Sequence, residues 1–77
     1  MQIDVKYFGM LAEITGCNSE QLVISSLEIA GLKEVLLNKY PGFANKDFRI
    51  AQNQELVLDT SPLTGEEIGV LPPFAGG

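Results

Sequence analysis

The sequence predicts a small α+β roll: one mixed sheet packed on a single long helix. Three observations predict it. The chain opens with strict alternation of apolar and polar residues, and one stretch near the middle switches to helical spacing. The second half then returns to short strand-like runs punctuated by Gly, Pro, Asn and Asp. A lone long amphipathic helix with strands before and after it buries both apolar surfaces by lying across one sheet. At 77 residues with 45% apolar content, the chain makes one domain near the lower size at which a core stands without staples.

In Gln2–Phe8, Ile3, Val5 and Tyr7 share one face and Gln2, Asp4 and Lys6 the other, the mark of a half-buried strand. Gly9 breaks it. Met10–Thr15, with Leu11 and Ile14 three apart, predicts a short helical turn closed by Gly16. Glu20–Ser25 predicts a second strand with Leu22 and Ile24 facing inward. Over Leu27–Tyr40 the period changes: Ile29, Leu32, Val35, Leu36 and Tyr40 form one stripe at spacings of three and four. Ser25 and Glu28 have capping-box spacing, and Ser26 is an equal candidate for the cap. Gly31 weakens this helix by about 1 kcal/mol relative to alanine. Pro41-Gly42 stops it. Phe48–Gln52 and Glu55–Leu58 predict two strands in a hairpin turning at Asn53-Gln54. A loop at Asp59-Thr60-Ser61-Pro62 follows, then Leu63 as an isolated core plug and a turn at Gly65-Glu66-Glu67. The last strand is Ile68–Leu71, ended by two prolines that have no amide hydrogen to give a ladder.

Composition removes several function classes. There is no histidine and one cysteine, Cys17, so a zinc site of the usual ligand set and a Ser-His or Cys-His pair are excluded. Cys17 has no basic neighbour in sequence and is expected to be an incidental thiol in a reducing compartment. Ten acids against five bases, without clustered Lys or Arg, argue against nucleic acid and for a partner with a basic face. No apolar run reaches the length of a membrane span, and no signal segment precedes the first strand, so a cytoplasmic protein is expected. Glu66 and Glu67 are expected in a solvated turn.

What remains is the end, Leu71-Pro72-Pro73-Phe74-Ala75-Gly76-Gly77. A glycine pair at a C-terminus turns nothing. Without Cβ atoms it makes a thin strand of backbone able to enter a channel too narrow for side chains. It delivers the α-carboxylate of Gly77. The expected division is a domain over residues 1–71 and an extended tail over residues 72–77.

This order of elements with a free Gly-Gly end resembles the ubiquitin-like β-grasp superfamily, and within it the small, sulfur-carrier subunits of molybdopterin synthase (MoaD-like proteins). The residues that carry the resemblance are Phe8-Gly9-Met10-Leu11-Ala12-Glu13-Ile14-Thr15-Gly16, the helix exit Tyr40-Pro41, Ala51-Gln52-Asn53-Gln54, Pro62-Leu63-Thr64-Gly65-Glu66-Glu67-Ile68, and the Pro-Pro-x-x-Gly-Gly terminus. Gln52 stands where the family pattern has valine, a departure expected to matter little to chemistry. The resemblance implies that Gly77 is adenylated by an ATP-using, ubiquitin-activating-type adenylyltransferase and converted by a sulfur donor protein to a thiocarboxylate. The large catalytic subunit, in an expected heterotetramer, then receives the tail, and sulfur passes to cyclic pyranopterin monophosphate. The domain binds no cofactor or metal of its own and is not an enzyme alone. Gly76 and Ala75 keep the tail slim, Pro72 and Pro73 hold its base extended, and Phe74 either anchors in a partner pocket or folds back on the core. Other readings are a sulfur carrier for thiamine thiazole or cysteine, a ubiquitin-like protein modifier, and a binding module with an inert tail.

Overall fold

The computed structural model describes residues 1–73; Phe74, Ala75, Gly76 and Gly77 lie outside the described residues. In order, the elements are β1 (Gln2–Tyr7), α1 (Met10–Thr15), β2 (Ser19–Val23), α2 (Ile29–Lys39), a 3-10 turn (Pro41–Asn45), β3 (Arg49–Gln52), β4 (Glu55–Leu56) and β5 (Ile68–Leu71). The sheet order is β2-β1-β5-β3-β4. β1 and β5 are parallel and every other neighbouring pair is antiparallel, so the sheet is mixed as expected.

The alternation in β1 becomes burial directly. Ile3, Val5 and Tyr7 face inward, while Gln2, Asp4 and Lys6 face solvent. They join Leu22, Ile50, Ile68 and Val70 from the sheet and Ile29, Leu32 and Leu36 from α2 in one core cluster. Each fully buried aliphatic side chain contributes about 1.5–3 kcal/mol relative to exposure. Gly16 closes α1 in the left-handed conformation, φ 78°, as its position predicts. Leu63 is buried, the expected plug.

The helix start differs from the sequence reading. No capping box forms at Ser25 and Glu28, and α2 begins at Ile29. Glu28 is held extended instead (φ −126°, ψ 157°): it bridges Pro62, and beside it the Leu63 amide donates to the Leu27 carbonyl. Ile29 and Ala30 donate to the carbonyls of Ser61 and Asp59, so backbone from a distant loop takes the orphan amides of the first turn. Ser26 packs so tightly on this turn that a Cβ on Gly31 would fall 2.1 Å from its Cβ and Oγ. Gly31 is the residue that lets helix and loop meet.

Beyond α2 the expected loop is a 3-10 turn that drives Phe43 into the core, 1% exposed. Phe43 packs among Tyr7, Tyr40 and Phe48, with ring centroids 5.2–6.3 Å apart. The hairpin forms where expected. Asn53 and Gln54 both take positive φ (52° and 67°), the mirror-image turn that suits strand twist. β4 is shorter than the sequence reading, because the Leu58 amide leaves the ladder for Ser61 Oγ. Gln52 has a larger role than expected. It is buried; its Nε2 donates to the Pro62 carbonyl and its Oε1 accepts from the Thr64 amide, which pins the loop before β5.

Glu20 reaches from β2 to the end of α2. It accepts from Tyr7 Oη at 2.6 Å, from Tyr40 Oη and from Lys39 Nζ at 2.7 Å. Desolvation pulls its carboxyl up, but the hydrogen bonds from Lys39, Tyr40 and Tyr7 outweigh it and hold the group below its ordinary value. Burial, then the same bonds, push both tyrosines up.

Candidate functional site: the root of the tail and the outer face of the sheet

β5 lies between β1 and β3 and is hydrogen-bonded along both edges, so the tail leaves from an interior strand. At its end the Phe8 amide donates to the Val70 carbonyl, 3.1 Å away, which ties the β1–α1 turn to the last strand. Gly9 in that turn has φ 60° and ψ −137°, a conformation reserved for glycine. A Cβ there would also stand 3.0 Å from Pro72 Cγ. The turn is therefore shaped to let the proline pass. Pro72 and Pro73, the described members of the predicted tail, are half-buried at this exit. Phe74, Ala75, Gly76 and Gly77 lie outside the described residues.

Around the exit the sheet turns an unusual face outward. The strand parity that sends Ile68 and Val70 inward sends Gly69 and Leu71 outward, and the register places Ala51 opposite Gly69 and Leu56 opposite Ala51. Phe8 lies over Gly69: a Cβ at 69 would meet Phe8 Cε2 at 3.4 Å. Together Phe8, Ala51, Gln54, Glu67, Gly69 and Leu71 line an open groove of about 170 Å³. Phe8 is 45% and Leu56 54% exposed, so large apolar side chains face solvent here although the core is complete. A wider groove of about 450 Å³ lies on the other side of Phe8, lined by residues including Lys6, Gly9, Asn18 and Ser19.

Charge is sorted across the same face. Over β1 and β2 it is polar apart from the exposed Val23, with Gln21 Nε2 donating to Asp4 Oδ1 and Lys6 paired to Glu67 at 3.1 Å. Over β5, β3 and β4 it is apolar apart from Arg49. This face was missed in the sequence. Its signal was present in Leu56 and Leu71, apolar residues at the outward positions of their strands, and in Phe8 just beyond β1.

No group of three or more His, Cys, Asp or Glu among the described residues is placed to hold a metal ion, and no helix among them is long and apolar enough to cross a membrane. Cys17 is a free, partly buried thiol hydrogen-bonded to Thr15 Oγ1. The arrangement is a rigid mount with an apolar apron.

Comparison with known proteins agrees with this anatomy. The chain is 35% identical to the human molybdopterin synthase sulfur carrier subunit, over 99% of this chain and 94% of that protein. A solved Pyrococcus furiosus protein described as molybdopterin converting factor subunit 1 superposes with a TM-score of 0.86 at 24% identity, covering 95% and 98% of the two chains. The complex of subunits 1 and 2 of molybdopterin-converting factor from Helicobacter pylori supplies a third match, with 26% identity, a TM-score of 0.62 and full coverage of both chains. These neighbours carry the same β-grasp arrangement of mixed sheet and long helix. The ThiS family pattern matches residues 5–77, and with the human relative it establishes that this chain belongs to the ThiS family, as a homologue of the human molybdopterin synthase sulfur carrier subunit.

Proposed function

We propose that the protein is the sulfur-carrier subunit of a molybdopterin synthase and that Gly77 is its working group. The observation that carries this reading is the near full-length identity to a molybdopterin synthase sulfur carrier, in a chain ending Pro-Pro-x-x-Gly-Gly. The structure supports it in kind. The domain presents a diproline at the end of an interior strand, beside a largely apolar face.

A carboxylate is a poor electrophile and holds no transferable sulfur. In the proposed sequence, an ATP-using activating enzyme joins the Gly77 carboxylate to AMP with loss of pyrophosphate. Sulfur at the sulfide level, supplied by a donor protein, then attacks the acyl carbon, AMP leaves, and the end becomes a thiocarboxylate. Sulfur is softer and more nucleophilic than oxygen, so this end attacks the pterin precursor in the active site of the large subunit; water then cleaves the acyl–sulfur bond, leaving the sulfur on the pterin and Gly77 as a carboxylate again. The dithiolene needs two sulfurs, so more than one charged carrier is consumed per product. Gly76 and Ala75 keep the tail narrow, and Pro72 and Pro73 lower the entropy lost on insertion. Phe74 anchors in a partner pocket. The six tail residues span at most about 20 Å, so a partner that receives Gly77 settles close to the outer face. Binding by the large subunit in a heterotetramer, the use of ATP by the activating partner and a cytoplasmic setting complete the proposal.

Intact-mass measurement of the protein from its own cells tests it. A fraction heavier by exchange of one oxygen for sulfur, lost when Gly77 is deleted, is expected. The deletion strain should lose molybdoenzyme activity while growing without added thiamine. High-mass conjugates that survive reduction, with molybdoenzymes intact in the deletion strain, would assign the chain to protein modification instead.

A further inference from the structure

At the outward strand positions of β3, β4 and β5 the face is apolar except at Arg49, which stands opposite Leu71 in the β3–β5 register; Gln54 and Glu67 line the neighbouring groove. Arg49 is exposed, and its strand neighbour on the same face is Ala51. Three of the five bases are paired: Lys6 with Glu67, Lys33 with Asp59 and Lys39 with Glu20. Among the described residues, Arg49 has no acid within salt-bridge distance, although the chain holds twice as many acids as bases. Lys46 is likewise without one, but it closes the 3-10 turn and is not in the sheet.

Directly opposed residues of an antiparallel pair have Cβ atoms about 4.5–5.5 Å apart. A partner that covers Leu71 to take in the tail therefore covers Arg49 as well, which makes this inference rest on the carrier reading. A guanidinium taken out of water without a counter-charge opposes docking strongly. A partner that places a carboxylate there gains a planar, two-pronged ion pair, and the apolar side chains around it strengthen the attraction. We propose that Arg49 selects the docking partner: the productive partner presents an Asp or Glu at the root of the tail, and a surface that is apolar or basic at that point is rejected.

The test is titration calorimetry of the whole chain against the large subunit of molybdopterin synthase from the same cells, at low and moderate salt. Arg49→Met should weaken binding about 30-fold or more and flatten its salt dependence, because the partner's carboxylate loses its cation. Arg49→Glu should weaken it further and recover when one partner carboxylate is reversed to Arg; Arg49→Lys should fall between wild type and Met. Unchanged thermal midpoints, expected for an exposed position, separate docking from folding. Binding by Arg49→Met as tight as wild type or tighter would overturn the proposal while leaving the carrier reading intact. Absence of binding by the wild-type chain would overturn both.

Discussion

Removing the Glu20 carboxylate should destabilise the domain more than any other single surface change. Glu20 is the common acceptor of Tyr7, Tyr40 and Lys39, and its side chain is 17% exposed. Hydrogen bonds to charged groups contribute about 1.5–3 kcal/mol each, and the Lys39 arm, 45% exposed, adds at most about 1 kcal/mol. Because Tyr7 is 3% exposed, Glu20→Ala also strands a buried hydroxyl. With non-additivity, the loss should be about 3–5 kcal/mol, a large share of the stability of a domain this size. Glu20→Gln keeps a carbonyl oxygen for the tyrosines but turns an amide toward Lys39, and should cost about 1–2 kcal/mol. Urea denaturation with global fitting measures both. A Glu20→Ala loss below about 1 kcal/mol would refute the reasoning, since it would mean the tyrosines find equal partners in water. The pH dependence carries a sign. The Glu20 pKa is depressed on folding, so its contribution is present above the ordinary value of 4.5 and lost as pH falls below it; Glu20→Gln should flatten that acid limb. Tyr7 and Tyr40 are raised, so their contribution is present below the ordinary value of 10.0 and lost as pH rises above it.

Other consequences are open to measurement. Gly9→Ala combines positive φ with a 3.0 Å contact on Pro72, and should cost about 1–3 kcal/mol and, on the proposed carrier function, slow charging of Gly77 by an activating enzyme. Leu36→Ala, at a fully buried position of α2, should cost about 2–5 kcal/mol in denaturation while the folded fraction binds the large subunit normally. Leu56→Asp should do the reverse, leaving stability within about 0.5 kcal/mol and weakening large-subunit binding about tenfold or more in calorimetry. Gln54→Gly should stabilise the hairpin by about 1 kcal/mol, because glycine takes the positive φ of position 54 without strain.

What the sequence made legible was local. Alternation in β1, the stripe on α2, Gly16, the Asn53-Gln54 turn and the diproline each report on their own few residues, and each is found where its pattern places it. What it hid depends on residues far apart in the chain. Ser25 and Glu28 have the spacing of a cap, but the carbonyls of Asp59 and Ser61 arrive first in space and take the amides. Phe43 lies in a segment with Pro and Gly at its start and no period, yet an aromatic cluster draws it inward. Gln52 is polar in a strand, and only the docked loop at Pro62 and Thr64 explains its burial. The candidate site divides the same way. Gly77, outside the described residues, is proposed from its position and chemistry alone, whereas the outer face emerged only when the register brought Phe8, Ala51, Leu56 and Leu71 together.

The placement of β5 has a mechanical meaning. A tail drawn into an enzyme's channel is under tension, and that tension runs along β5. Because β5 is laddered to β1 on one side and β3 on the other, the pull shears two rows of hydrogen bonds at once and does not peel one strand from an edge. β1, the parallel neighbour, begins near the N-terminus, whose ammonium is itself fastened to the Ile24 carbonyl. On the proposed carrier function, the strand that leads into the tail is thus held on both edges, so a partner that tugs on the tail would meet resistance from two ladders while the domain stays folded.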